Sequence, residues 1–193
     1  MKKYLILILA ICVLALYAST SVAHMTVMNI SGRVPIAGGV CSSCDPVTDV
    51  YDPVSQSANY TMSSTETKCV KWVVGSQTCV TGITVEIKDE GGTGNMTVSI
   101  YSDSGGDPDD VVTGCTATLT SAEIGDTQTT EAFTFAAIQA LDAATYWICG
   151  DSDYNVDLYY ESGASGVDSK YWNGSSWADS SYDPEYIVKG CSP

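Results

Sequence analysis

Residues 80–106, VTGITVEIKDEGGTGNMTVSIYSDSGG, constrain the fold more than any other stretch. Ile83, Val85 and Ile87 alternate with Thr84, Glu86 and Lys88. After Gly91, Gly92 and Gly94 the alternation resumes, with Met96, Val98 and Ile100 against Thr97, Ser99 and Tyr101. A period of two sends successive side chains to opposite faces of a sheet. With its β-branched residues and its glycine break, the stretch predicts a half-buried β-hairpin.

Shorter runs of the same kind lie at 59–62, 67–74, 111–119, 129–135, 145–149, 156–160, 169–172 and 186–189. Turn signals separate them. Residues 103–110, DSGGDPDD, read as an acidic turn, and 121–125 as a single helical turn. Asn173-Gly174, between Trp172 and Trp177, reads as a hairpin turn, because both residues tolerate positive φ. Many short strands and no long helical pattern predict an all-β fold, an antiparallel two-sheet sandwich.

The two ends of the chain read differently. Lys2 and Lys3 precede an apolar run over 4–17, and Ser21-Val22-Ala23 places small residues before a cleavage point. Residues 1–23 are therefore expected to be a signal peptide, with no membrane insertion after its removal. Residues 24–53 read as an N-terminal arm and a Pro/Gly/Cys-rich linker, with poor periodicity and the punctuation Gly38-Gly39, Asp45-Pro46 and Asp52-Pro53. The sandwich is expected over 54–193. The chain carries 23 acidic and 8 basic residues, a net charge of -15. The balance is more acidic still once Lys2 and Lys3 leave with the leader. Such a surface repels nucleic acid and anionic lipid, which are bound by Lys/Arg patches.

Four phrases carry a family resemblance: Gln56-Ser57-Ala58, NMTVSIYSDSGGDPDD over 95–110, ALDAATYWIC over 140–149 and KYWNGSSW over 170–177. In these the chain resembles secreted bacterial and archaeal jelly-roll domains of the choice-of-anchor R type. The resemblance spans roughly residues 54–190. It implies a jelly-roll sandwich at the cell surface or outside the cell, found beside anchors or in glycan-handling chains. The phrases are structural and imply no catalytic residues.

Catalysis finds little support in the residues themselves. His24 is the one histidine of the chain, so the folded body has no imidazole base for Ser-His-Asp or Cys-His chemistry. A copper site at His24 would need a second histidine. Zinc at Cys41-x-x-Cys44 would need a further ligand pair. The protein is expected not to be an enzyme.

Other residue types suggest binding and export. Beyond the leader lie Cys41, Cys44, Cys69, Cys79, Cys115, Cys149 and Cys191, an odd number. In an exported chain they are expected to form disulfides and leave one thiol over. Cys69 and Cys79 flank one turn and are expected to bridge across it, with Cys115 and Cys149 as the second expected pair. Cys41 and Cys44 are open to a local bridge, or to one of them reaching Cys191. Asn29, Asn59, Asn95 and Asn173 each begin an Asn-x-Ser/Thr triplet and are candidate glycosylation sites. Asp103, Asp107, Asp109 and Asp110 supply hard oxygen ligands on one turn, the chemistry of a structural calcium. Late aromatics are dense, and Tyr171, Trp172, Trp177 and Tyr182 are the candidate ligand-binding set, since an exposed ring can stack on a sugar. The expected function is a non-catalytic extracellular or cell-surface binding or accessory module, with glycan or another surface protein as partner. The alternative is a structural or adhesive subunit that assembles by adding residues 24–34 as a strand to a neighbour.

Overall fold

A computed structural model describes residues 41–52, 58–162 and 168–193. The leader, the arm with His24 and Asn29, and Gln56-Ser57 lie outside the described residues. In chain order the elements are β1 (Thr48–Tyr51), β2 (Ala58–Met62), β3 (Thr67–Val74), β4 (Thr78–Asp89), β5 (Asn95–Ser104) and β6 (Asp107–Thr120). Then come α1 (Ser121–Ile124), β7 (Thr129–Leu141), β8 (Ala144–Ser152), β9 (Val156–Ser162), β10 (Ser169–Trp172), β11 (Trp177–Asp179), β12 (Tyr182–Pro184) and β13 (Tyr186–Cys191). Every strand pairing is antiparallel. The fold is all-β, with two sheets packed face to face.

The first sheet runs β1-β13-β4-β9-β12, with β7 on the other edge of β4 and β2 on β9. The second runs β11-β10-β3-β8-β5-β6. Ile83, Val85 and Ile87 from β4 and Met96, Val98 and Ile100 from β5 are all buried in the layer between them. Their alternation therefore sets the inward face as expected.

The predicted hairpin over 80–106, however, does not form. Strand β4 bonds to β13, β7 and β9, whereas β5 bonds to β6 and β8. The two strands lie in different sheets and face each other across the core. Period two fixes which face a strand buries, not which strand lies beside it. The glycines between them serve the crossing. A Cβ on Gly92 would stand 3.1 Å from Cβ of Tyr154, and one on Gly94 would stand 2.9 Å from its ring.

One turn expectation and one linker expectation also change. Within DSGGDPDD only Gly105 and Gly106 turn, with φ of 69° and 96°. Ser104 already pairs with Asp107 and Asp103 with Pro108, so the acidic residues sit on a two-residue hairpin whose two central positions both need positive φ. Pro108 is tolerated because β6 is an edge strand. Residues 48–51, in the stretch read as linker, form β1 against β13. The Asn173-Gly174 hairpin does form, with Trp172 opposite Trp177 and Gly174 at φ 93°. The helical turn at 121–124 is present, and the Glu123 carboxylate accepts from the Thr120 backbone N–H and hydroxyl, each at 2.8 Å. Among the described residues no helix is long and apolar enough to cross a membrane.

The disulfides are Cys41–Cys79, Cys44–Cys191 and Cys69–Cys149. Cys69–Cys79, Cys115–Cys149 and a local Cys41–Cys44 bridge do not form. Cys69 and Cys79 are near in sequence but sit in different sheets, and the residue directly opposite Cys69 is Cys149 on β8. Cys149 faces away from the core, whereas Cys115 faces into it, so those two thiols cannot meet. Cys115 is the free thiol, buried, and burial pushes its pKa up to about 12.

Candidate binding face

The side chains of the second sheet that point away from the core form a face of their own. Antiparallel register places directly opposed residues on the same face. Trp177 opposes Trp172, Trp172 opposes Thr67, Thr67 opposes Asp151, Asp151 opposes Thr97, and Thr97 opposes Thr118. These residues make one row across six strands. The next row runs Asp179, Lys170, Cys69, Cys149, Ser99 and Thr116. A third holds Lys71, Trp147 and Tyr101.

Trp147 is the anchor of this face. It has no exposed surface, although it points away from the main core. It packs with the Cys69–Cys149 disulfide, and Tyr101 and Trp177 close over the cluster. Its indole N–H donates to Asp103 Oδ1 at 2.7 Å, and Lys71 Nζ lies 5.6 Å from its ring centroid. Lys71 in turn pairs with Asp168 at 2.5 Å. Lys170 Nζ is held between Asp179 at 2.8 Å and Asp107 at 3.1 Å, and these two carboxylates raise its pKa.

A pocket of about 290 Å³ opens here, bordered by Trp147, Asp168, Lys170, Asp179, Gly106 and Ser180. Two residues along β10, Trp172 and Trp177 pack edge to face with their centroids 5.3 Å apart. Thr67 donates to Asp151 at 3.2 Å, and the hydroxyl pairs Thr97/Thr118 and Ser99/Thr116 each stand 2.9 Å apart. The face therefore offers half-buried aromatic rings, carboxylates and hydroxyls together, the set that recognises a polar, hydroxyl-bearing ligand.

The expected aromatic quartet divides. Trp172 and Trp177 belong to this face. Tyr171, one residue from Trp172, points to the other side of the sheet and covers Lys68. Tyr182 packs on Tyr60 at 5.0 Å and on Tyr160 at 4.7 Å. Lys68 is only 5 % exposed, with Nζ 4.5 Å from the Tyr60 ring and 4.6 Å from the Tyr171 ring. Glu66 lies 3.8 Å from it. Burial lowers the Lys68 pKa and outweighs the attraction of Glu66.

Glu66 is also pushed up by partial burial, but the Tyr60 hydroxyl at 2.7 Å, the Ser63 N–H and Lys68 together hold it below the usual carboxylate range. A depressed folded pKa means stabilisation that is present above the ordinary carboxylate pKa and lost as pH falls through the folded value. Wild type is expected to melt above Glu66→Gln at neutral pH, with the gap closing below about pH 4. An equal gap at neutral and at strongly acid pH would show that the charge is not what stabilises.

The acidic quartet does not converge. Asp103 is engaged with Trp147 and Asp107 with Lys170, while Asp109 and Asp110 are exposed and adjacent on β6, so they point to opposite sides. Among the described residues no group of three or more His, Cys, Asp or Glu side chains is placed to hold a metal ion. Asn59, Asn95 and Asn173 are all exposed. Asn173 Oδ1 accepts from the backbone N–H of Ser175 at 3.0 Å and of Ser176 at 3.1 Å.

Sequence reasoning missed Trp147, Lys71, Lys170 and Asp168. The one local signal was Trp147-x-Cys149, which puts an indole and a cysteine on the same face of β8. Compared with protein-family models, with curated proteins and with solved structures, the chain matches none.

Proposed function

We propose that this protein is a non-catalytic extracellular binding module and that the outer face of its second sheet binds glycan. The supporting observation is the pocket beside Lys170, Asp168 and Asp179, on the same face as the Trp172/Trp177 pair. Vicinal sugar hydroxyls donate to carboxylates and accept from an ammonium, and the apolar face of a sugar ring packs on indole. The three disulfides are compatible with an oxidising extracellular setting.

The test is a glycan array with the whole chain, followed by calorimetry on the hits. Lys170→Ala and Asp168→Ala, both at polar surface positions, are expected to weaken binding by about tenfold or more, as loss of a charge-assisted hydrogen bond would. An array without hits for folded protein would remove the reading.

A further inference from the structure

The row Trp177, Trp172, Thr67, Asp151, Thr97, Thr118 runs unbroken across six strands. Adjacent strands stand about 4.8 Å apart, so six residues in line make a track of about 24 Å. Beyond the indole pair every position of the track is a hydroxyl or a carboxylate. The chemistry is continuous across the strands and broken along them. Down β3 the outward residues are Thr67, Cys69, Lys71 and Val73, and down β8 they are Asp151, Cys149 and Trp147. A ligand matched to this face therefore runs across the strands.

Charge narrows the class. Five carboxylates, Asp103, Asp107, Asp151, Asp168 and Asp179, stand around this face. Its lysines, Lys71 and Lys170, are already paired with Asp168, Asp107 and Asp179. An anionic polymer would bring its charges against carboxylates with no unpaired ammonium on this face to meet them.

We propose that the face binds a neutral, extended, β-linked saccharide chain laid across the strands, a proposal that rests on the glycan reading above. One sugar lies against Trp172 and Trp177, and the following sugars pass over Thr67 and Asp151, then Thr97, then Thr118. Successive strands present an outward polar group about every 4.8 Å, a spacing of the same order as the length of one sugar in an extended β-linked chain. Each strand then offers one polar group per sugar, and the Thr67–Asp151 and Thr97–Thr118 hydrogen bonds hold those groups in position before the ligand arrives.

The experiment is calorimetry of the whole chain with neutral β-1,4-linked gluco- and manno-oligosaccharides from disaccharide to hexasaccharide. The β-1,4-linked mannuronate hexamer and the chitosan hexamer serve as anionic and cationic counterparts. Affinity for the neutral series is expected to rise by about tenfold or more from the disaccharide to the hexasaccharide. Thr118→Glu, at an exposed position of an edge strand, is expected to weaken the hexasaccharide and leave the disaccharide unchanged. Trp172→Ala is expected to weaken both. Affinity independent of length, or Thr118→Glu acting equally on both ligands, would overturn the across-strand track while leaving the face a glycan site. Either charged hexamer binding as tightly as the neutral one would overturn the neutral class. No binding to any of these saccharides, together with an array without hits, would overturn the glycan reading itself.

Discussion

Trp147→Ala is expected to cost about 3–5 kcal/mol of folding stability, the range for removing a large buried aromatic side chain. The position makes this informative. Trp147 points away from the layer between the sheets, on the side where a sandwich usually meets water. It is nonetheless fully buried, packed with Cys69 and Cys149 under Tyr101 and Trp177. Truncation would open a cavity beneath Trp177, leave Asp103 without the indole donor at 2.7 Å, and take the ring from Lys71. Trp172→Ala, at a half-buried position of the same face, should cost much less. Urea unfolding of the two variants beside wild type makes the comparison. A Trp147→Ala cost under about 1 kcal/mol, like that of an exposed substitution, would mean that the outer cluster is decoration. The same variant bears on the proposed binding face, because Trp147 lines the pocket and belongs to the cluster against which Trp177 packs.

The second large effect is expected from the paired substitution Cys44→Ser with Cys191→Ser. This bridge joins residues 147 apart in sequence, the longest separation of the three, and its loss loosens the unfolded chain. The full loop-entropy figure does not apply. Cys41–Cys79 already ties the same N-terminal segment to β4, and β4 is the neighbour of β13. With Cys41–Cys79 and Cys69–Cys149 both in place, the chain path from Cys44 to Cys191 through those two bridges is well under half its sequence separation. The expected cost is therefore about 2–4 kcal/mol, which for a domain of this size lowers the melting temperature by roughly 5–15 °C. Thermal unfolding under non-reducing conditions reads it. An unchanged melting temperature would indicate that the backbone pairing of β1 with β13 holds this edge without covalent help.

Both effects arise from residues whose importance is hard to see in sequence. Trp147 lies in a run, TYWIC, that reads as one more strand. Which of its faces meets the core depends on the pairing of β8 with β3 and β5. The cysteines show the same limit. Spacing favoured Cys69 with Cys79, yet ten residues of chain lead from an outward position of one sheet to a strand of the other. Tyr171 and Trp172 stand side by side in sequence and end on opposite faces of β10, one over Lys68 and the other beside Trp177. Sequence density of aromatics marked the region and could not divide it.

By itself the sequence determined the local structure. Alternation with period two fixed where the chain runs extended and which side chains of β4 and β5 point inward, because steric and solvation preferences act within a few residues. Gly105-Gly106 and Gly174 fixed sharp turns, because left-handed backbone is open to them without a Cβ clash. Only the tertiary structure decided which strands lie side by side, that β4 and β5 face each other across the core, and that Trp147, Lys170, Asp168 and the Trp172/Trp177 pair share one surface. Strand pairing satisfies backbone hydrogen bonds that any strand can offer, so its choice follows from closing both layers at once around one core. That is a property of the whole chain and of no single stretch.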